Sequence, residues 1–126
     1  MSPMPLTLLC IDDEPNVLAI RKMLLESVGY RVLLAQSGPQ GLELLQREQV
    51  HTVILDYRMP EMTGAEVAER IRAMRPGLPI IMLSAYVDLT EDQLKDVDAY
   101  VTKGESPDVL LRTIEGVQPR KVGNAG

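Results

Sequence analysis

The sequence predicts an α/β domain built on a parallel sheet. Five short apolar runs alternate with longer amphipathic segments, which is the order expected when strands and helices alternate. The apolar runs are nearly continuous, as in strands of a sheet that is covered on both faces. The length of 126 residues and the composition, 45% hydrophobic and 25% charged, are those of a single globular domain with a core of its own.

The predicted strands are short and end at polar residues. The first is an unbroken apolar run that stops at two adjacent aspartates, and the third and fourth also end at a polar side chain. Strands of four to six residues fit the usual length in globular proteins. The predicted strands cover residues 6–11, 31–35, 52–55, 80–83 and 99–102.

The intervals between the predicted strands show helical periodicity and helix start signals, and so predict helices. In the first interval Val17, Ile20, Leu24 and Val28 recur at spacings of three and four, and Gly29 supplies a stop. Capping boxes begin the next three helices, and a proline in the first turn begins the last. These signals are Ser37 with Gln40, Thr63 with Glu66, Thr90 with Gln93, and Ser106 with Pro107.

Composition and charge exclude several classes of function. A single cysteine, Cys10, excludes a disulfide framework, and a single histidine, His51, leaves little for a histidine-based metal site. The net charge of -5 argues against direct binding of nucleic acid. There is neither an apolar run of membrane-spanning length nor a secretory signal, so we expect a cytoplasmic protein that does not bind membranes. We expect residues 1–5 to form a lead, 6–116 the domain, and 117–126 a flexible tail or linker stub.

Polar side chains follow the carboxyl ends of four predicted strands. Asp12 and Asp13 follow the first strand, Asp56 the third, Ser84 the fourth and Lys103 the fifth. Ligands of open α/β sheets bind at this edge, and a cluster of carboxylates there needs a cation, with Mg²⁺ the leading choice. Each aspartate alone could simply stabilise the positively charged N-terminal end of a helix. The full set instead predicts phosphoryl transfer, with a carboxylate that attacks phosphorus.

Four motifs resemble the receiver domain of two-component response regulators. They are Asp12-Asp13-Glu14, the run from Asp56 to Gly64, Leu83-Ser84-Ala85, and the run from Tyr100 to Lys103. The resemblance covers residue 6 to about residue 115. It implies a doubly wound, flavodoxin-like (β/α)5 fold with five parallel strands in the order 2-1-3-4-5.

The resemblance also implies a role for each matching residue. Asp56 would be the phosphoacceptor, and Lys103 would pair with the phosphoryl group. Mg²⁺ would be held by Asp12, Asp13, Asp56 and the backbone carbonyl of Arg58. Ser84, which is implied in catalysis, and Tyr100 would form the switch. The phosphoryl donor would be a sensor histidine kinase or a phosphotransfer domain, and the output would go to an unidentified downstream protein.

The sequence departs from the family in three places. Gly104 follows the lysine where many receivers have proline, so we expect a trans peptide there. The interval between Ser84 and Tyr100 is short, which predicts a fourth helix cut to one or two turns. Arg58 and Tyr86 are large residues at positions that flank the phosphorylation pocket.

Three functions compete on the sequence alone. The leading hypothesis is a stand-alone signalling module, which is not an enzyme beyond its own phosphorylation and dephosphorylation. An alternative is a receiver-like interaction adaptor that no longer depends on phosphate. A third, an aspartate-dependent phosphohydrolase, ranks lower because such enzymes carry Asp-x-Asp after the first strand, whereas here the aspartates are adjacent.

Overall fold

A computed structural model describes residues 5–85 and 89–118. Five strands and four α-helices follow one another in this part of the chain. None of these helices is both long enough and apolar enough to cross a lipid bilayer. The elements are β1 (Thr7–Ile11), α1 (Pro15–Ser27), β2 (Arg31–Ala35), α2 (Gly38–Arg47), β3 (Thr52–Asp56), α3 (Gly64–Met74), β4 (Ile80–Ser84), β5 (Ala99–Thr102) and α4 (Pro107–Val117).

The strands form one parallel sheet in the order β2-β1-β3-β4-β5, which confirms the predicted topology. At its carboxyl edge Ile11 pairs with Leu55, and Asp56 pairs with Leu83. The chain winds in opposite directions from β1 and β3, so the ends of these two central strands border one crevice. The residues that follow β1 and end β3 are therefore brought together.

The sheet separates two apolar cores. Leu9 and Leu55 point to the side covered by α2 and α3, whereas Leu8 and Cys10 point to the side covered by α1 and α4. Successive residues of a strand alternate between faces, so a strand buried on both sides is apolar throughout. Cys10 is fully buried, and this burial raises the pKa of its thiol to about 12. The expectation of a sheet covered on both faces is confirmed.

Helix α1 is confirmed, but the apolar stripe that predicted it does not face the core. Leu18 and Leu25 are the buried residues of α1, whereas Ile20 and Val28 are 70% and 51% exposed. Periodicity indicates a helix but cannot choose the buried side when apolar residues lie on more than one face. Leu18 and Leu25 are separated by about two turns and so share a face.

The predicted fourth helix is replaced by turns. Thr90 and Gln93 form both bonds of the predicted capping box, since each backbone amide donates to the other's side chain at 2.7 and 3.2 Å. No α-helix follows within residues 89–98, so the described chain has four helices where the sequence predicted five. The interval between β4 and β5 is too short for a helix. The backbone amide of Asp98 already donates to the carbonyl of Ile80 at 2.8 Å, and this bond begins the pairing of β5 with β4.

Arg72 of α3 hydrogen-bonds to the end of the turn segment, which comprises residues 89–98. Its Nη1 donates to the carbonyls of Pro76 and Leu78 at 2.8 and 2.7 Å. Its Nη2 donates to the carbonyl of Asp96 and to Oδ2 of Asp98, both at 2.8 Å. Two stretches of chain are thus held by one guanidinium, whose rigid fork of donors suits several acceptors at once.

Candidate functional site

Three aspartates meet at the crevice between β1 and β3. One carboxylate oxygen from each of Asp12, Asp13 and Asp56 lies within 4.8 Å of the other two. Asp12 is fully buried and Asp56 is 6% exposed, while Asp13 is the most exposed of the three. A donor set made only of carboxylate oxygens suits a hard cation such as Mg²⁺. The three predicted metal-binding aspartates are therefore together, and their chemistry fits that ion.

Lys103 lies between two of these carboxylates. Its Nζ is 2.9 Å from Oδ1 of Asp56 and 3.1 Å from Oδ2 of Asp12. The residue directly follows β5, and its backbone amide donates to the carbonyl of Ser84 at 2.9 Å. All peptide bonds of the described residues are trans, which agrees with the expectation at Gly104. The lysine is thus held at the site by the backbone as well as by its ammonium group.

The surroundings of Asp56 and Lys103 raise the pKa of both side chains. Burial raises the pKa of Asp56; the hydrogen bond from Lys103 opposes this, and the charges of Asp12 and Asp13 add to the increase. For Lys103, burial lowers the pKa, but hydrogen bonds to Asp56 and Asp12 outweigh it and the net shift is upward. For Asp56, burial together with the neighbouring carboxylates therefore outweighs the single ammonium group.

The loop after Asp56 is closed by a glycine. The amide of Gly64 donates to the carbonyl of Tyr57 at 2.6 Å, and a Cβ atom at Gly64 would lie 2.5 Å from the carbonyl oxygen of Asp56. Any larger residue would collide with the backbone at Asp56. Arg58 lies in this loop, two residues beyond Asp56, and its side chain is exposed.

Ser84 and Tyr100 lie on neighbouring strands beside the site. Ser84 ends β4, is 1% exposed and pairs in register with Thr102, while Tyr100 pairs with Met82. The ring of Tyr100 packs against the core on the α2 and α3 side. Its hydroxyl is buried and has no hydrogen-bond partner among residues 5–85 and 89–118. Tyr86, expected to flank the pocket, lies outside the described residues.

Comparison with known proteins agrees with this geometry. Residues 8–115 match the family model of the response regulator receiver domain. The chain is a response regulator receiver domain. It is 38% identical over 118 residues to the transcriptional regulatory protein GlrR of Escherichia coli, an alignment that covers 91% of this chain and 27% of GlrR. The receiver domain spans 27% of the length of GlrR and 48% of that of the probable transcriptional regulatory protein TcrX of Mycobacterium tuberculosis.

Solved structures of receivers superpose on it closely. The response regulator TrrA of Thermotoga maritima, in complex with Mg²⁺-BeF, has a TM-score of 0.85 and 33% identity over 89% of this chain and 98% of TrrA. TrrA in its complex with the histidine kinase ThkA gives a TM-score of 0.83 and 32% identity, over 89% of this chain and 97% of that chain. These likenesses support the fold and the two-component family of the receiver domain.

Sequence reasoning missed Arg21. In the receiver domain its Nη1 lies 3.6 Å from Oδ2 of Asp12, and its side chain is only 11% exposed. Nη1 is buried and makes no hydrogen bond within the described residues. Arg21 follows Leu18 by three and precedes Leu25 by four, so it belongs to the buried face of α1. An arginine at that spacing is the signal that could have revealed it.

A hydrogen bond from Gln93 to Tyr57 was also missed. Nε2 of Gln93 donates to the Tyr57 hydroxyl at 2.9 Å, which ties the turn segment to the residue after Asp56. The two residues are 36 positions apart, and nothing local to either predicts the contact.

Proposed function

We propose that this receiver domain accepts a phosphoryl group on Asp56 from a phosphohistidine, in a reaction that depends on Mg²⁺, and then changes its surface around β4 and β5. The observation that carries the proposal is the position of Lys103. Its ammonium contacts Asp56 and Asp12 at 2.9 and 3.1 Å, beside a third carboxylate. A nucleophilic carboxylate, a metal-binding acidic pair and a lysine form a suitable set for phosphoryl transfer.

The transfer step balances with groups the chain and its donor supply. An oxygen of the Asp56 carboxylate attacks phosphorus while the phosphorus–nitrogen bond to the donor imidazole breaks. The bonding electrons leave with the ring nitrogen, which gains a proton from solvent. Lys103 offsets charge on the phosphoryl oxygens, which is where negative charge is concentrated in such a reaction.

Asp12, Asp13 and Asp56, with the backbone carbonyl of Arg58, would hold the metal ion. The all-oxygen set and the spacing of 4.8 Å or less support this assignment. When bound, Mg²⁺ would neutralise phosphoryl oxygens and so assist attack by an anionic carboxylate. The solved complex of TrrA with Mg²⁺-BeF, at 33% identity, supports the same use here.

Ser84 and Tyr100 would form the switch. Ser84 would turn its hydroxyl toward the phosphoryl group, and Tyr100 would follow by changing rotamer. The hydroxyl of Tyr100 is buried and has no hydrogen-bond partner in the described part of the chain. This supports the switch role, because such a group is costly and holds its rotamer weakly. The bond between Gln93 and Tyr57 offers a second connection between the acceptor loop and the surface that changes.

We propose a histidine kinase or phosphotransfer domain as donor and an unidentified protein as target. The complex of ThkA with TrrA, a relative at 32% identity, supports the first partner. The proposed module comprises residues 6–116, acts in the cytoplasm, and changes only its own phosphorylation state.

Intact-mass measurement after incubation with Mg²⁺ and acetyl phosphate tests the proposal. We expect one phosphoryl adduct on the wild type, none on Asp56→Asn, and none when EDTA replaces Mg²⁺. Asp92→Asn is the matched control, because Asp92 is an exposed aspartate in the turn segment. An adduct that persists in Asp56→Asn would refute the assignment.

The same experiment decides the adaptor alternative. The replacement of the fourth helix by turns favours it, since this part of the surface differs from the expected fold. An adaptor would take up no phosphoryl group, and its surface would be the same with and without the donor.

A further inference from the structure

Arg21 is a second cation beside Asp12. Oδ2 of Asp12 faces Nζ of Lys103 at 3.1 Å and Nη1 of Arg21 at 3.6 Å. Lys103 hydrogen-bonds this oxygen, whereas the buried Nη1 has no hydrogen-bond partner in the described chain. A fully buried carboxylate oxygen thus lies between two cations of which only one is bonded to it.

We propose that Arg21 is a positioning residue that holds the Asp12 carboxylate when Lys103 turns toward the phosphoryl group. The inference rests on the proposed function. Lys103 now divides its single charge between Asp12 and Asp56, and a phosphoryl group on Asp56 competes for that charge. Oδ2 of Asp12 would then lose the hydrogen bond from Lys103, and a buried carboxylate oxygen without a donor is unfavourable. A movement of about 0.7 Å would bring Nη1 of Arg21 within charge-assisted hydrogen-bond distance.

Charge balance supports this role. After phosphorylation, Asp12, Asp13 and a phosphoryl group of charge about −2 would carry the negative charge of the site. Mg²⁺, Lys103 and Arg21 would carry an equal positive charge. Before phosphorylation the site is less negative, so Arg21 then competes with Mg²⁺ for Asp12. Arg21 should therefore weaken Mg²⁺ binding to the free domain and stabilise the phosphorylated one.

A Mg²⁺ titration followed by NMR amide shifts tests the first consequence without measuring activity. Arg21→Gln should bind Mg²⁺ roughly three- to tenfold more tightly than wild type, because one positive charge near the ion is removed. Arg21→Lys should remain within about twofold of wild type because it keeps that charge. Lys22→Gln is the matched control, since Lys22 lies next in α1 and pairs with Glu26 at 2.9 Å. Equal affinities of Arg21→Gln and Lys22→Gln would overturn the proposal.

Phosphorylation tests the second consequence. In Mg²⁺ and acetyl phosphate, phosphorylation should raise the denaturation midpoint of the wild type more than that of Arg21→Gln. Equal gains in the two proteins would contradict a role for Arg21 in the phosphorylated state.

A double-mutant cycle in EDTA separates this inference from the proposed function. If Arg21 acts on the Asp12 charge, Arg21→Gln should lower the denaturation midpoint less in the Asp12→Asn background than in the wild type. We expect the decrease to be smaller by about half or more. An equal loss in both backgrounds would show that Arg21 only packs, and would overturn the inference. A wild type that shows this coupling but takes up no phosphoryl group would refute the proposed function and leave only the pairing of Arg21 with Asp12.

Discussion

Nζ of Lys103 lies 2.9 Å from Oδ1 of Asp56, yet the pKa of Asp56 is raised. Burial and the neighbouring carboxylates outweigh the lysine, so ionisation of Asp56 is less favourable than that of a free aspartate. The site therefore favours a cation or a proton, and this can be measured as a change in stability.

Asp56→Asn should be as stable as the wild type or more stable in EDTA at neutral pH. A carboxyl group whose pKa is raised on folding stabilises the fold below its unfolded pKa of 3.8, and this contribution is lost as pH rises through the higher folded pKa. The advantage of Asp56→Asn should thus be small at acid pH and grow across that window. Urea denaturation at a series of pH values measures it. A wild type that is clearly more stable than Asp56→Asn at neutral pH would contradict a clustered site.

Lys103→Ala should fold but respond weakly to phosphorylation. Its ammonium contacts Asp56 and Asp12 and not the apolar cores. NMR shifts around Ser84 and Tyr100 should change less on phosphorylation than in the wild type. Lys95→Ala, which removes a half-exposed lysine from the turn segment, is the control. The full wild-type response in Lys103→Ala would exclude a role for the lysine in switching.

Arg58→Asn should shorten the lifetime of the phosphorylated domain. Hydrolysis needs a water molecule aligned with phosphorus, and an amide orients water better than a bulky guanidinium does. Decay of the phosphorylated mass peak in excess Mg²⁺, after removal of the donor, gives the rate. Arg112→Asn, an exposed arginine of α4, should decay like the wild type. Unchanged or slower decay of Arg58→Asn would show that Arg58 does not shield the site.

Arg72→Leu should lower the free energy of unfolding by about 2–4 kcal/mol, since several acceptors of one partly buried guanidinium lose their donor. The turn segment at Asp96 and Asp98 should loosen first, with faster amide exchange there. Arg70→Leu, an exposed neighbour on the same helix, should change stability by no more than about 0.5 kcal/mol. Similar losses of unfolding free energy in both variants would show that the hydrogen bonds of Arg72 do not stabilise the domain.

Gly64→Ala should destabilise the domain by about 1–3 kcal/mol and displace the loop after Asp56, because its Cβ would overlap backbone atoms. Phosphorylation by acetyl phosphate should slow in parallel. Gly116→Ala is the matched control, since a Cβ there meets no described atom within 4 Å and should add at most about 0.5–1 kcal/mol of helix stability. A neutral Gly64→Ala would mean that the loop has room to adjust.

The strands and their terminal residues were predictable, whereas contacts set by helix rotation were not. Asp12, Asp56, Ser84 and Lys103 follow or end apolar runs, and parallel strands deliver such residues to one edge. Arg21 reaches Asp12 only because α1 turns Leu18 and Leu25 inward, a choice that the apolar spacing left open.

The turn segment shows the limit of local signals in another way. Thr90 and Gln93 form a complete capping box, yet the chain returns to the sheet before a helix can develop. A capping signal reports on one turn of chain. Two tertiary constraints act on this segment: the short length of chain between β4 and β5, and the hydrogen bond from Arg72 to the carbonyl of Asp96. No local motif contains either of them.

The buried position of Cys10 makes this domain convenient for spectroscopy. It is the only cysteine in the sequence, and a thiol whose pKa is about 12 presents almost no thiolate to an alkylating reagent. A cysteine introduced at an exposed position such as Asp92 should therefore take up a maleimide dye alone. The native core need not be altered to obtain a singly labelled protein, and movement of the turn segment could then be followed in real time by fluorescence.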